Sequence, residues 1–243
     1  MPFTLVTDAM VGFNPDEEYV YVSADNETWI VGKIRLEEFM KEAKMEDYKV
    51  LKTVNGSEFE GKKYTHPLLG NISGLEKMSK LENYHIAVAE KFVDVNAGTG
   101  IVHLSPANGE DDYNIAMKRK VEIFSPIDDE VKFTEDAGKY AGMFVRDADE
   151  KIVQDIKDKN ALVRIGKIKH KYPLCWRSHH KLVWLARREY FYMLDRLGDK
   201  AIDAAQKVEY FFDQPKNRFL EIIKEKPWHK TCLKYTKAKK YYE

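Results

Sequence analysis

Two short segments with alternating polar and apolar residues give the clearest pattern in the chain. Glu18–Ser23 alternates as a strand does, and Glu27–Gly32 follows it after a very short connection. Asp25 and Asn26 stand in that connection, and both residue types favour tight turns. The pattern predicts a β-hairpin.

Other short segments are apolar and rich in β-branched residues, which predicts strands. They are Phe3–Val11, Tyr48–Val54, Ile86–Val95, Thr99–Leu104, Val121–Pro126 and Leu162–Ile168. Apolar residues at helical spacing predict helices over Arg35–Lys44, Tyr113–Lys120 and Asp147–Lys159. Strand segments often follow one another without a helix between them. This order favours an α+β fold, with a barrel-like set of short strands surrounded by helices, over a doubly wound sheet.

The character of the sequence changes after Lys171. An aromatic and basic segment is followed by Leu182–Val208, whose spacing predicts one or two amphipathic helices with a break near Gly198. A further short helix is predicted to begin at Pro215. The predicted organisation is therefore a body over 1–171, a helical appendage over 172–228 and a basic tail over 229–243. Such a tail is usually a solvated end, and contact with a phosphate backbone is the alternative.

Composition sets broad limits on the function. The chain has 243 residues, of which 44% are hydrophobic and 33% are charged, so it can bury a core under a well-solvated surface. Its 40 Lys and Arg residues balance 40 Asp and Glu residues. The net charge of zero gives no overall electrostatic argument for nucleic-acid binding, although local basic patches remain possible.

The cysteine content indicates the redox compartment, and the hydropathy pattern bears on whether the chain spans a membrane. Cys175 and Cys232 cannot build a disulfide framework, which favours a reducing cytosol. No apolar run approaches about 18 residues, so no membrane span is predicted. The first residues resemble the middle of a strand, and we expect the chain to be part of a longer protein.

The segment Gly98–Tyr113 carries the densest candidate chemistry. It predicts a strand with an imidazole at His103, then a turn, then an acidic triplet that ends at Asp112. Carboxylates at a helix start suit the helix dipole, and a lone histidine on a strand is often a satisfied core residue. Alternatively, Gly98 and Gly100 let the backbone approach a ligand while His103 and an aspartate point into the same cleft.

A metal site is a second candidate in the C-terminal part. Zinc could be held by a set that comprises Cys175, His179, His180, His229 and Cys232. The tight Cys-x-x-Cys spacing of structural zinc sites is absent, because Ser178 stands where the second cysteine would be. We therefore predict no metal.

Several motifs together indicate a family. In chain order they are Pro2–Leu5, Asn14–Asp16 with Glu18-Tyr19, Phe59–Leu68, Gly98–His103 with Gly109–Asp112, Tyr172–Arg177 and Pro215–Phe219. Over about residues 1–228 the chain resembles the editing domain, or connective-peptide insertion, of isoleucyl-tRNA synthetases, which are class I enzymes. The isoleucine branch is favoured because valyl enzymes tend to carry lysine where His103 stands.

The resemblance implies post-transfer editing, which is the hydrolysis of valine wrongly esterified to isoleucine tRNA. It implies catalytic roles for Thr4, His103 and Asp112, and no cofactor. Asp112 would bind the α-ammonium, His103 would line the pocket or contact the ester, and Thr4 would hold a water or the terminal ribose. The implied substrate-binding residues are Thr7, Asp8, Gly98, Thr99, Gly100 and Asp111. The general base stays open among His103, a substrate hydroxyl and a positioned water.

The resemblance also implies partners and alternatives. The partners would be the acceptor end of isoleucine tRNA and the remaining domains of a parent synthetase in the cytoplasm. A catalytically silent module that binds the acceptor end, or a scaffold fragment, is the alternative function. Two departures matter. Asp8 stands where the family pattern has asparagine, and the two signature motifs of the synthetic site are missing, so aminoacylation by this chain alone is not expected.

Overall fold

The structure is a computed structural model that describes residues 1–45, 47–166, 171–188, 197–225 and 236–241. The chain divides into two units, Met1–Ala186 with Ala238–Glu243 and Arg187–Lys237. This division falls later along the chain than the boundary that the sequence predicts at residue 171. Strands and helices are mixed in the first unit, which confirms the α+β class.

The first sheet of the larger unit contains the strands β1 (Met10–Phe13), β5 (Ile86–Ala89) and β6 (Val102–Leu104). Their order in the sheet is β5-β1-β6. β1 runs parallel to β5 and antiparallel to β6, and its register pairs Val11 with His103. The main hydrophobic core packs on this sheet and includes Phe3, Met10, Leu104 and Ile152.

The second sheet contains the predicted hairpin. Its strands are β2 (Glu18–Ala24), β3 (Glu27–Gly32) and β4 (Lys49–Asn55), all antiparallel, in the order β3-β2-β4. Asp25 and Asn26 both have positive φ, as a two-residue hairpin turn requires. Phe13 of β1, Tyr19 of β2 and Phe59 form an aromatic cluster that joins the two sheets.

The described strands form small open sheets, and none of these sheets closes into a barrel. A further pair, β7 (Val183–Arg188) and β8 (Thr236–Tyr241), forms a two-stranded sheet. Short strands are therefore present as the sequence predicts, although not at every predicted position, and their hydrogen bonds are divided among separate sheets.

The helices described in the larger unit are α1 (Leu36–Glu42), α2 (Ser73–Met78), α3 (Glu110–Arg119) and α4 (Ala148–Asp158). All except α2, which lies outside the predicted helices, are near the predicted positions. The smaller unit contains α5 (Gly198–Lys207) and α6 (Asp213–Glu225), which pack against each other. None of the helices in the described residues has the length and apolar character needed to cross a membrane.

Three predicted elements differ in the structure. Val183–Arg188 is a strand instead of a helix, because Val183 and Leu185 alternate into the main core. Val121–Pro126 forms no regular strand, although Val121 and Phe124 pack into the core. The described part of the predicted strand Leu162–Ile168 is also irregular.

The beginning of the chain differs most from its prediction. Pro2–Thr7 is a 3₁₀ helix, and the strand begins only at Met10. The Thr4 hydroxyl donates to the carbonyl of Met1, and the Thr7 hydroxyl lies 3.0 Å from the carbonyl of Thr4. Local side-chain hydrogen bonds of this kind compete with strand pairing. The Asp149 carboxylate accepts the Phe3 N–H at 2.7 Å and satisfies a donor at the helix start.

Candidate functional site

Thr4, Asp8 and His103 meet where the 3₁₀ helix runs into the first sheet. Thr4 Oγ1 lies 3.2 Å from His103 Nε2, and Asp8 Oδ1 lies 3.2 Å from His103 Nδ1. Thr4 lies inside the 3₁₀ helix, Asp8 follows its last residue, and His103 is central in β6. The imidazole is 37% exposed while the Asp8 side chain is 2% exposed. The ring can therefore meet a ligand on one side and a buried carboxylate on the other.

The second oxygen of Asp8 faces inward. Tyr64 donates its hydroxyl to Asp8 Oδ2, and His66 Nε2 lies 3.8 Å from the same oxygen. Burial and the Asp8 charge raise the pKa of Tyr64 well above its ordinary value, so this hydroxyl stays protonated. Asp8 thus accepts hydrogen bonds from both sides, from Tyr64 and from His103.

Two further histidines lie beneath this pair. His66 and His85 are buried and stack with ring centroids 5.4 Å apart. His66 Nδ1 accepts the amide N–H of Leu68, while the Nε2 atoms of both rings have no hydrogen-bond partner within the described chain. Burial lowers the pKa of His66 to about 4 and also lowers that of His85. Both rings are therefore neutral near pH 7, so they do not compete with His103 as charged partners of the Asp8 carboxylate.

Asp112 lies close to this group at the first turn of α3. Its Oδ2 accepts the amide N–H of Ser105 at 2.9 Å, and Ser105 follows His103 by two residues. Burial raises the pKa of Asp112, and the Ser105 hydrogen bond and the nearby His103 partly offset that effect. The carboxylate is half-buried. A charged group of this kind is well suited to accept a ligand ammonium.

Thr7 connects the 3₁₀ helix to the loop before α3. It is 1% exposed, and its hydroxyl lies 2.6 Å from Ser105 Oγ and also contacts Asn108 Oδ1. Asn108 in turn donates to the carbonyl of Trp184 at 2.7 Å. Because Thr7 is enclosed by these partners, its side chain supports the site from within the protein.

The glycine segment and Asp111 lie apart from these contacts. Thr99 accepts the Gly32 amide at 2.7 Å through its carbonyl, Gly100 accepts the Tyr19 hydroxyl at 2.8 Å, and Gly98 accepts Arg35. These hydrogen bonds tie the segment to the second sheet.

Asp111 is exposed and lines a different surface cavity of about 590 Å³ with Lys91, Phe92 and Lys118. Hydrogen-bond contacts therefore join Thr4 and Asp8 to His103, and the charges of His103, Asp8 and Asp111 act on Asp112. None of the described hydrogen bonds links the glycine segment to these residues.

The candidate zinc residues are only partly described. The buried Cys175 accepts the amide N–H groups of Arg177 and Ser178 through its sulfur. His229 and Cys232 lie outside the described residues, as does most of the basic tail. Within the described ranges, no group of three or more His, Cys, Asp or Glu side chains is arranged to hold a metal ion.

The sequence did not single out Tyr64, His66 or His85. The segment Phe59–Leu68 was recognised only as a family motif, and its spacing gave no sign that two of its side chains approach Asp8. The one available signal was the position of Tyr64 and His66 two residues apart, which places them on one side of an extended segment.

The chain is similar to known isoleucine–tRNA ligases. That of Methanocaldococcus jannaschii is 38% identical over 231 residues, which cover 92% of this chain and 22% of the relative. That of Kosmotoga olearia is 35% identical over 228 residues, which cover 93% of this chain and 24% of the relative. The chain thus spans less than a quarter of the length of these relatives. No protein-family model matches it.

A solved structure has the same fold. The crystal structure of GlLeuRS-CP1 matches with a TM-score of 0.52 and covers 69% of this chain and 82% of that chain. At 16% sequence identity this likeness concerns the fold. Such structural neighbours are editing (CP1) domains of class I synthetases.

Proposed function

Since the chain is homologous to the isoleucyl-tRNA synthetases and corresponds to their editing domain, we propose that it hydrolyses the ester of valine wrongly attached to isoleucine tRNA. The observation that carries this proposal is the convergence of Thr4, His103 and Asp112 from three separate segments. The hydroxyl contacts the imidazole, and the carboxylate lies close enough to the imidazole for their charges to interact.

The reaction has a physical reason. A hydrophobic synthetic pocket discriminates poorly against a substrate that lacks one methylene, and isoleucyl enzymes are the standard example of this problem. A second, smaller site that hydrolyses only what fits restores the accuracy. The substrate is an activated ester, so a positioned water is a sufficient nucleophile.

Each residue has a role in this proposal. Asp112 binds the α-ammonium through a charge-assisted hydrogen bond, and its existing bond to Ser105 keeps the carboxylate in place. The exposed side of His103 lines the space for the valine side chain and the ester. Thr4 places a hydroxyl next to the ring, where it can hold a water or the terminal ribose. Asp111 and the backbone of Gly98–Gly100 contact the tRNA end farther from the ester.

The proposed partners follow from the same homology. They are the acceptor end of isoleucine tRNA and the other domains of a synthetase, because the relatives extend well beyond the matched region. The cytoplasm, where tRNA is charged, is the proposed location. Aminoacylation itself is not assigned to this chain.

Deacylation of isoleucine tRNA charged with valine or with isoleucine tests the proposal. The chain should release valine much faster than isoleucine, and Asp112→Ala should abolish or strongly slow that release. Asp158→Asn is a matched control, because this exposed aspartate at the end of α4 bonds only to Gln154 among the described contacts.

A chain that hydrolyses neither ester above the buffer rate would contradict the proposed enzyme activity. Binding of a non-hydrolysable valyl-adenosine analogue would then identify a silent module that binds the acceptor end. Absence of that binding would leave the scaffold function.

A further inference from the structure

Positive charge is concentrated in one segment of this otherwise neutral chain. From Lys159 to Arg188 the sequence contains nine Lys and Arg residues and no Asp or Glu, whereas the whole chain has 40 residues of each sign. A local excess of this size attracts an anionic partner, although the net charge of the protein is zero. The structure shows where part of this segment lies.

The segment contains a hairpin, Tyr172–Leu182, which we call the basic hairpin. Leu174 pairs with Lys181 in antiparallel orientation, and the Cys175 N–H donates to the carbonyl of His180 at 2.8 Å. The buried Cys175 sulfur accepts two further N–H groups from the turn, as described above. These hydrogen bonds fix the backbone at the tip of the hairpin, so its side chains project from an ordered support.

An aromatic side chain stands exposed at this tip. Trp176 is 74% exposed, and the Arg177 guanidinium lies over its ring at 4.8 Å from the ring centroid. An indole in this position covers no part of the core, but its free face can stack on another flat group. Stacking of a nucleobase on an aromatic ring with an arginine beside it is a common way to hold single-stranded nucleic acid.

The cations of the hairpin are not neutralised by neighbouring acids. Arg177 and Lys181 are exposed, and no carboxylate among the described residues forms an ion pair with either of them. Several exposed lysines elsewhere in the larger unit do have such partners, for example Lys33 with Glu18 and Lys91 with Asp16. The charges of the hairpin therefore remain available to phosphate groups.

The base of the hairpin adjoins the candidate site on one side. Tyr172 donates its hydroxyl to the carbonyl of Leu182 at 2.6 Å and accepts Arg146 at 3.0 Å. The same hydroxyl lies 3.6 Å from the sulfur of Met1, whose carbonyl accepts the Thr4 hydroxyl. The hairpin thus begins next to the 3₁₀ helix that carries Thr4.

The strand that follows the hairpin adjoins the site on another side. In β7, the carbonyl of Trp184 accepts the side-chain amide of Asn108, and the Ala186 N–H donates to the carbonyl of Ala107, both at 2.7 Å. Ala107 and Asn108 belong to the loop before α3, the helix that carries Asp112. A nucleic acid that lies along the hairpin is therefore directed toward the site.

We propose that the basic hairpin is an RNA-binding surface, on which Arg177 and Lys181 contact backbone phosphates and Trp176 stacks on an unpaired base near the esterified end. This inference rests on the proposed function, since the RNA is the tRNA of that reaction. It adds the part of the chain that holds the RNA outside the hydrolytic site.

Binding of uncharged, fluorescently labelled isoleucine tRNA tests the proposal without requiring hydrolysis. Anisotropy measured at several salt concentrations gives the binding constant and its salt slope, which is the slope of log K against log salt. The double variant Arg177→Gln with Lys181→Gln should weaken binding by about 10-fold or more near 0.1 M salt and reduce the salt slope by about 2. Each lost phosphate contact no longer releases its counterions.

Trp176→Ala separates stacking from charge. It should weaken binding by about 10-fold with an unchanged salt slope, and Trp176→Phe should restore most of the affinity. A tRNA without its unpaired 3′ nucleotides should bind Trp176→Ala and the wild type equally. All three substituted side chains are exposed, so the fold should not depend on them.

Lys41→Gln with Lys49→Gln is the matched control. It removes the same charge from exposed positions on α1 and β4, so its affinity and salt slope should equal those of the wild type. If the control loses as much affinity as the hairpin variant, the effect is one of overall charge and the hairpin is not the RNA surface.

The remaining outcomes separate the two proposals. If the hairpin variants bind tRNA as the wild type does, or the wild type binds none, the hairpin role is overturned, and its exposed tip is assigned to contact with another protein domain. Hydrolysis of valyl-tRNA by the wild type would then leave the proposed function standing. If the hairpin variants lose affinity as expected but the wild type hydrolyses no ester, the proposed function is overturned while the RNA surface stands.

Discussion

The carboxylate of Asp112 accepts the backbone N–H of Ser105 at 2.9 Å and is thereby folded back over the first turn of α3. Gly109 makes this position possible. A Cβ atom at residue 109 would lie 2.7 Å from Asp112 Oδ2, closer than real Cβ contacts allow. Because Gly109 has no side chain, the Asp112 carboxylate has room to bind the Ser105 amide.

Gly109→Ala should displace Asp112 without unfolding the protein. The new methyl group pushes the carboxylate off the Ser105 amide, so KM for valyl-tRNA should rise several-fold. Gly166→Ala is the control, because a Cβ there meets nothing within 4 Å. Steady-state deacylation kinetics of both variants measure the effect, and equal KM values in the two would show that Gly109 has no bearing on Asp112.

Gly56→Ala should be strongly destabilising. A Cβ at this buried position would lie 1.9 Å from the carbonyl oxygen of Asn14 and 2.9 Å from the ring of Tyr19. Backbone cannot give way as a flexible side chain can, so we expect a loss of about 3 kcal/mol or more in the free energy of unfolding. Urea unfolding measures it, with Gly166→Ala as reference. A midpoint within error of the wild type would contradict the packing between Gly56 and Asn14.

His66 should make the protein sensitive to mild acid. Its pKa is lowered from 6.5 to about 4 by burial, so between these values the unfolded chain binds a proton that the folded protein does not. Stability therefore falls as pH drops through that window, by up to about 3 kcal/mol from this residue. The depressed pKa of His85 acts in the same direction.

His66→Asn should flatten this dependence, because an asparagine oxygen can accept the Leu68 amide without taking up a proton. Urea unfolding at about pH 7 and about pH 4.5 gives the comparison. If the two proteins lose the same stability between these conditions, His66 is not the source of the acid sensitivity.

Asp155 should contribute stability at neutral pH that is lost in stronger acid. Burial opposes its ionisation, but hydrogen bonds from Lys139 and Tyr140 outweigh it and lower the pKa below the ordinary 3.8. A depressed acid stabilises the fold above its unfolded pKa and loses that effect as pH falls through the folded value. Asp155→Asn should thus have a lower free energy of unfolding than the wild type at pH 7, and this difference should shrink below about pH 4.

Guanidinium unfolding across this acid range compares the two proteins. Asp158→Asn on the same helix is the control, since it alters an exposed carboxylate. If the difference in free energy of unfolding between Asp155→Asn and the wild type stays constant with pH, the effect comes from the shape of the side chain and not from its charge.

Much of the fold was available from the sequence. The hairpin around Asp25 and Asn26, the helices α1, α3 and α4, and the acidic start of α3 all follow from local patterns: alternation, turn residues, helical spacing and carboxylates at a helix start. The family resemblance, which the comparisons confirm, rests on short motifs that are likewise local.

The tertiary structure decided the rest, because it depends on partners far apart in the chain. Pro2–Thr7 is helical since Asp149 and local hydroxyls satisfy its backbone, and Val183–Arg188 is a strand since its alternate residues reach the core. In the site, the sequence named Thr4, His103 and Asp112 one by one. The pairing of β1 with β6 brings Asp8 to His103, and the hydrogen bond from the Tyr64 amide to the His85 carbonyl holds Tyr64 near Asp8. Spacing along the chain carries no information about such a meeting.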